Sequence, residues 1–348
     1  VNQHAWQTLI DLPALATWMD EQRLGDGPIQ EASPLGGGTQ NVLLLFTRAG
    51  RHYVLRRPPP HPRASSNDTI CREMRVLSAL AGSAVPHPAF IAGCADPAVL
   101  GTAFYLMEPV DGFNATVAMP ALHAGDASIR HAMGLALVDG IAALGRVDHL
   151  AVGLEDFGKA EGFLQRQPAR WLSQLESYHA HAGWPGPSGL PGAARIADWL
   201  ARHTPAHFTP GILHGDYHLA NVMFRHDGPR LAAIVDWELA TIGDPLLDLG
   251  WLLATWPDPA AAAAARSVSV EPWSGFPNAA ELIARYRGQS TRDLSAIDWY
   301  AVLACFKLGI ILEGTHARAC AGAATRETGD ALHVHAVGLF ERAGRWMS

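Results

Sequence analysis

The stretch Leu213-His214-Gly215-Asp216-Tyr217-His218-Leu219-Ala220-Asn221-Val222-Met223-Phe224 constrains this chain more than any other. It sets Asp216 and Asn221 five positions apart in a loop that runs into a short apolar strand. A second apolar run, Ala232 to Val235, ends on Asp236 and leads through Trp237-Glu238 to Gly243-Asp244-Pro245-Leu246-Leu247-Asp248-Leu249-Gly250. The turn residues His226-Asp227-Gly228-Pro229 between the two runs predict a β-hairpin. That hairpin would bring Asn221 beside Asp236. Polar groups at the ends of apolar strands are costly to bury idly, so Asp216, Asn221 and Asp236 are read as functional.

The chemistry that asks for such a set is phosphoryl transfer. It needs charge neutralisation on a triphosphate and alignment of an acceptor hydroxyl. Mg²⁺ takes oxygen ligands, one or two of them from protein, and Asp236 with the Asn221 amide oxygen would supply these. Asp216 would accept or orient the hydroxyl proton. His214 is expected to hold the loop by hydrogen bonds. Asp244 and Asp248 are expected to be structural, Asp248 as a cap on the helix around Leu249 to Thr255.

Length and patterning set the frame. With 348 residues, 49% apolar and 17% charged, the chain is globular and too long for one ordinary core. The net charge of −7 is the reverse of the basic excess usual in nucleic-acid binders. Cys71, Cys94, Cys305 and Cys320 form no CxxC pair, and His333 and His335 have no third ligand near them in sequence. Reduced thiols in a cytoplasmic protein are expected, with no nucleic acid and no membrane among its partners.

Residues 1–26 predict helix, the segment from Trp6 to Asp20 being amphipathic rather than a secretory leader. Gly36-Gly37-Gly38-Thr39-Gln40-Asn41 precedes two strands, Val42 to Phe46 and His52 to Arg56, joined at Ala49-Gly50. Ile70, Met74, Leu77 and Leu80 share one face of a helix over 68–81, and Ala103 to Met107 predicts another strand. Val110-Asp111-Gly112 is a turn and the expected lobe boundary. Beyond it, helices are expected near 126–145, 161–180 and 193–203, with the alanine run 260–265 as helix start or loop. Trp299 to Leu312, broken by Lys307, is too short to span a bilayer and reads as a buried helix. The fold class expected is α+β and bilobal, a β-rich lobe over 1–110 and a mainly helical lobe over 111–348.

The order His-Gly-Asp, four residues, Asn, an apolar strand ending in Asp, and then Gly-Asp-Pro, two residues, Asp-Leu resembles the aminoglycoside phosphotransferase and choline kinase-like family, relatives of the protein kinases. The likeness runs from about residue 28 to 330. It implies ATP and Mg²⁺ as cofactors, Asp216 as catalytic base, and Asn221 and Asp236 as metal ligands. It further implies a nucleotide loop with Gly37, Gly38, Thr39 and Asn41, an acidic partner at Glu73, and a hinge offering backbone groups around Glu108 and Val110 to adenine. One position departs from the pattern: Arg56 stands where the family carries lysine. Arginine keeps the charge but forks onto its partners.

Leu55-Arg56-Arg57-Pro58-Pro59, with Phe163-Leu164-Gln165-Arg166-Gln167 and Trp171, is similar to one branch, the kinase-like domain fused to some long acyl-CoA dehydrogenases. That likeness implies a small-molecule hydroxyl acceptor of the 4-hydroxyacyl-CoA thioester type, with this chain expected as a stand-alone version. Arg166, Gln167 and Trp171 share a helix face suited to line an acceptor site. The competing readings are a kinase of aminoglycosides or other small alcohols, a catalytically silent nucleotide-binding module, and a two-metal hydrolase. Eight acids against nine bases over 266–348 give no acidic excess for a polycationic antibiotic.

Overall fold

A computed structural model describes residues 5–36, 41–257 and 268–347. The alanine run 260–265 lies outside the described residues.

The N-terminal part is built on a five-stranded antiparallel sheet. Its strands are β1 (Gln30–Pro34), β2 (Val42–Arg48), β3 (Arg51–Arg57), β4 (Phe90–Cys94) and β5 (Phe104–Met107), in the order β1-β2-β3-β5-β4. The β2–β3 hairpin turns through Ala49 and Gly50, both at positive φ. This is the geometry that matches the right-handed strand twist. Helix α1 (Leu12–Glu21) covers one face, with Leu15, Trp18 and Met19 against Leu44, Phe46, Leu55, Phe104 and Leu106. Helix α2 (Ser66–Ala79) lies on the other face, against β4 and β5. Side chains alternate across a strand. Leu55 and Phe104 thus join the α1 core, while Arg56 and Tyr105 emerge on the α2 side.

Helix α3 (Pro97–Leu100) joins β4 to β5, and after β5 the chain becomes mainly helical: α4 (Ala121–Gly125), α5 (Ala127–Gly145), α6 (Gln167–Ser177), α7 (Ala193–Arg202), α8 (Leu246–Thr255), α9 (Ala279–Gln289), α10 (Ile297–Cys320) and α11 (Arg326–Trp346). Helix α10 is the central post, packed on by α6, α7, α8 and α11. Gly250 permits the close approach of α8: a Cβ there would stand 2.5 Å from the Tyr300 carbonyl oxygen. Helix α5 is long and apolar enough to cross a membrane by length and composition, but it packs as a core helix on α9 and α8. Two small antiparallel pairs sit between the helices: β6 (Gly211–Leu213) with β9 (Thr241–Gly243), and β7 (Val222–Phe224) with β8 (Leu231–Ile234).

Several expectations need correction. Among the described residues, helix over 1–26 shrinks to a 3₁₀ turn at Ala5–Thr8 and α1, the latter capped by Asp11 with Pro13 in its first turn and stopped before Arg23, Gly25 and Gly27, which all take positive φ. Residues 161–166 are turns rather than the start of a helix, with Gly162 at positive φ and Pro168 in the first turn of α6. The strands β4, β6 and β9 escape a reading by periodicity, because three residues cannot show one and Gly93 interrupts the other.

Candidate active site

The expected hairpin forms. Val222 pairs with Ile234, and the Val235 N–H donates to the Asn221 carbonyl at 2.9 Å. Asp236 follows at φ 66°, a left-handed backbone that non-glycine residues rarely adopt. Strain of this kind persists only where the surroundings fix it.

Asp216 is held from three sides. Asn221 Nδ2 donates to its Oδ2 at 3.0 Å and to its carbonyl at 2.9 Å. Trp251 Nε1 donates to Oδ1 at 2.9 Å, and His218 Nε2 stands 3.4 Å from the same oxygen. Burial works to raise its pKa, but the His218 hydrogen bond and charge, with the Lys307 charge further off, outweigh it and hold the carboxyl at about 2. Because Nδ2 of Asn221 faces Asp216, the amide oxygen is left over, and it makes no hydrogen bond among the described residues.

The loop carrying Asp216 is pinned from beneath. His214 is buried, and burial lowers its pKa, so the ring is neutral. Its Nε2–H donates to the Val235 carbonyl at 2.9 Å, while Nδ1 faces the Asp216 N–H at 3.4 Å; this pattern assigns the tautomer. Asp248 is structural, but it does not cap its own helix. From inside α8 it accepts the His214 and Gly215 N–H groups at 2.7 and 2.9 Å. Burial pushes its carboxyl up to about 6 against the pull of those two bonds. Asp244, just ahead of α8, accepts the N–H of its first residue Leu246 and the Tyr300 hydroxyl. Gly215 has φ 87° and lies under the Leu239 carbonyl, so the loop needs glycine there.

The small lobe contributes a charged cluster to the same place. Arg56 Nη2 donates to Glu73 Oε1 at 3.0 Å and to Asp236 Oδ1 at 2.7 Å, which ties β3 to α2 and to the far hairpin. Nε lies 2.8 Å from Glu73 Oε2 without its N–H aimed at that oxygen, so that contact is one of charge alone. Tyr105 donates its hydroxyl to Glu73 at 2.8 Å. Burial alone would lower the Arg56 pKa, yet Glu73, Tyr105 and Asp236 raise it well above normal, so the guanidinium is permanently charged.

Of the remaining expected residues, Gly37, Gly38 and Thr39 lie outside the described residues. Asn41 lines a hollow of about 490 Å³ with His61, Arg63, Ser65, Thr69 and Glu238. Glu108 follows β5. Its N–H is taken by the Ala89 carbonyl and its carboxylate pairs with Arg51 on the surface. The Glu108 carbonyl and the Val110 N–H are left without backbone partners among the described residues.

A second hollow, about 530 Å³, opens on the other side of Glu238 and Leu239. Arg166, Gln167 and Trp171 all line it, as their shared helix face suggests, and Trp171 Nε1 donates to Gln167 Oε1 at 3.1 Å. Lining it too are Arg72, Lys159, Arg170, Trp251, Asp248 and Lys307. Sequence reasoning gave no role to Glu238, Trp251 or Lys307. The one available signal was Lys307 as a lone charge inside an apolar run, which is seldom placed without cause. Far from this site, His333 is not isolated as its neighbours in sequence suggest. Its Nδ1 meets Glu313 Oε2 at 2.7 Å, and its ring stacks on His316 at 4.5 Å.

Residues 31–282 match the family described as phosphotransferase enzyme family. The chain is 30% identical over 324 residues to human "Acyl-CoA dehydrogenase family member 11", covering 90% of this chain and 40% of that protein. It is also 30% identical to a candidate aminoglycoside phosphotransferase from Ralstonia eutropha JMP134, whose crystal structure superposes with a TM-score of 0.79 over 96% of this chain and 98% of that one. An aminoglycoside phosphotransferase solved with ADP and hygromycin B, 16% identical, superposes with a TM-score of 0.60 over 96% and 98% of the two chains, a likeness of fold alone. The chain spans well under half the length of the curated relatives it matches.

Proposed function

Because the chain belongs to the phosphotransferase enzyme family, with a hydroxyl group as acceptor, we propose that it is a small-molecule kinase which takes the γ-phosphate from ATP and delivers it to the hydroxyl of a 4-hydroxyacyl-CoA thioester. The observation that carries this reading is the convergence of Asp216, Asn221, Asp236 and the Arg56–Glu73 pair, drawn from both lobes, at the mouth of one cleft.

The residues divide the work by their geometry. Asp216 is ionised at every physiological pH and accepts a hydrogen bond from the acceptor hydroxyl. A carboxylate held near pKa 2 is a weak base, so it aligns the oxygen and takes the proton only late, when the departing charge draws the hydroxyl forward. Trp251 and Asn221 fix the carboxylate so that little reorganisation is needed. Arg56 would meet the triphosphate while Glu73 holds it, and the Glu108 carbonyl and Val110 N–H fit the adenine edge. The Asn221 amide oxygen and the Asp236 carboxylate form a hard oxygen pair suited to Mg²⁺, which when bound neutralises phosphate charge. We further place the protein in the cytoplasm, a reading supported by the free thiols of Cys71, Cys94 and Cys320.

The choice of acceptor rests on three supports. The curated relative carries a dehydrogenase of acyl-CoA in its name. The acceptor-side hollow has five cations, Arg72, Lys159, Arg166, Arg170 and Lys307, against the acids Glu238 and Asp248, and Asp248 is already spent on two backbone N–H groups. Polycationic aminoglycosides would meet repulsion there, whereas an anionic ester would not. Phe163, Trp171 and Leu303 add an apolar wall for an acyl chain. The test is to incubate the protein with Mg-ATP and a 4-hydroxyacyl-CoA and follow ADP and phosphorylated product by mass, with Asp216→Asn as control. Product from the wild type alone is expected. ADP formed with other alcohols but not with the thioester would keep the kinase and reject this acceptor.

A further inference from the structure

Lys307 is the unusual charge of the acceptor-side hollow. It projects from the middle of α10, where Val302 to Phe306 and Gly309 to Ile310 are all buried. Its ammonium lies 4.3 Å from the centroid of the Trp251 ring and 5.5 Å from that of Trp171, and donates one long bond, 3.3 Å, to the Gly215 carbonyl. No carboxylate stands within ion-pair distance of it among the described residues. Asp216 and Asp248 act on it only from further off, and Arg170 on α6 opposes them. An ammonium has three protons to place, and two indole faces and one carbonyl do not satisfy them. A part-buried cation in this state costs stability, which is the usual mark of a group kept for a ligand.

Its position says what the ligand must carry. The same Trp251 that flanks Lys307 donates its indole N–H to Asp216. Gly215, whose carbonyl Lys307 touches, is the residue before Asp216. A hydroxyl resting on Asp216 is therefore one short span from the ammonium. Resting on the kinase reading above, we propose that Lys307 is a specificity-determining residue that binds a carboxyl-derived oxygen, a carbonyl or carboxylate, on the same acceptor whose hydroxyl Asp216 aligns. Acceptors lacking that oxygen leave the ammonium unpaired in the complex, and are rejected for that reason. Trp171 and Trp251 confine the ammonium sideways, so the acceptor is held at two points and its hydroxyl is not free to turn.

The test compares two small acceptors that differ only at that oxygen: the N-acetylcysteamine thioester of a 4-hydroxy acid and the matching thioether, in which a methylene replaces the carbonyl. Wild type and Lys307→Gln are assayed with Mg-ATP, and KM and kcat are taken for each acceptor and for ATP. The variant is expected to raise KM for the thioester roughly tenfold to a hundredfold, as for loss of a charged hydrogen bond, to narrow or abolish the preference for the thioester over the thioether, and to leave KM for ATP unchanged. Lys307→Arg should restore part of the loss if the variant is folded, and a thermal melt of each protein checks that. Equal effects on thioester and thioether, or an effect confined to KM for ATP, would assign Lys307 to structure or to the phosphate donor and overturn the inference. A wild type that phosphorylates other alcohols but neither compound would overturn it while sparing the kinase. A wild type that phosphorylates nothing would bring down the kinase reading itself.

Discussion

The two lobes each bring a cation to the site, Arg56 buried and Lys307 part-buried, and they treat it in opposite ways. On the small-lobe wall, Arg56 is met by two carboxylates, Glu73 and Asp236, with Tyr105 closing the far side of Glu73. On the large-lobe wall, Lys307 has two indole faces and a carbonyl. The first cation is neutralised within the fold and its pKa moves up; the second is not, and burial pulls its pKa down to about 8. Burial is common to both, so the difference comes from the partners. Arg56 holds the two lobes together by charge. Lys307 is left with bonding capacity to spare, beside the carboxylate that would align an acceptor.

The sharpest break in this comparison comes from the group between the walls. Asp216→Asn removes the hydroxyl's acceptor while keeping shape, and turnover is expected to fall by about 10² to 10⁴, measured as ADP release under saturating substrates. Turnover near wild type would end its assignment.

Next in size is Glu73→Gln. It leaves Arg56 with one carboxylate in place of two, and removal of one partner from a buried pair costs about 3 kcal/mol. Chemical denaturation should report a lower midpoint, with KM for ATP raised as well. An unchanged midpoint would mean that Asp236 alone holds the arginine.

Lys307→Met should act in the other direction on stability. Deleting an unpaired, part-buried charge and replacing it with a side chain of similar length is expected to raise stability by about 1 kcal/mol, while phosphorylation of the thioester weakens. A fall in stability would place Lys307 with Arg56 as a structural cation.

The smallest effect is on pH. The Lys307 pKa is depressed in the fold, from 10.5 to about 8, so the unfolded chain binds that proton more tightly between those values. Stability should therefore rise as pH climbs from about 8 toward 10.5, and Lys307→Met should remove that rise. Over the same rise the ammonium discharges, so KM for the thioester should increase above pH 8. Asp216, at about 2, contributes no titration there.

Much of the site was written in contiguous sequence. His214 to Phe224 and Ile234 to Glu238 specify a loop, a hairpin and three polar groups at their ends, and local turn chemistry suffices to bring Asn221 and Asp236 together. The alternation of β2 and β3 likewise assigns Arg56 to one face of the sheet before any contact is known. Asp248 shows where such reasoning stops. Its place at a helix start reads as a local cap, but its oxygens reach back 34 and 33 residues to His214 and Gly215. Strands of three residues, β6 and β9, carry no period that could announce them.

The sequence by itself determined which residues can do chemistry, because residue type, order and short spacing are local properties of the chain. Tertiary structure alone decided which of them share one space. Arg56 meets Asp236 across 180 residues, Lys307 reaches the Gly215 carbonyl across 92, and Trp251 finds Asp216 across 35. Those meetings follow from how α8 packs on α10 and how the sheet faces the helical lobe, and packing is settled by the summed burial of many side chains that no motif records.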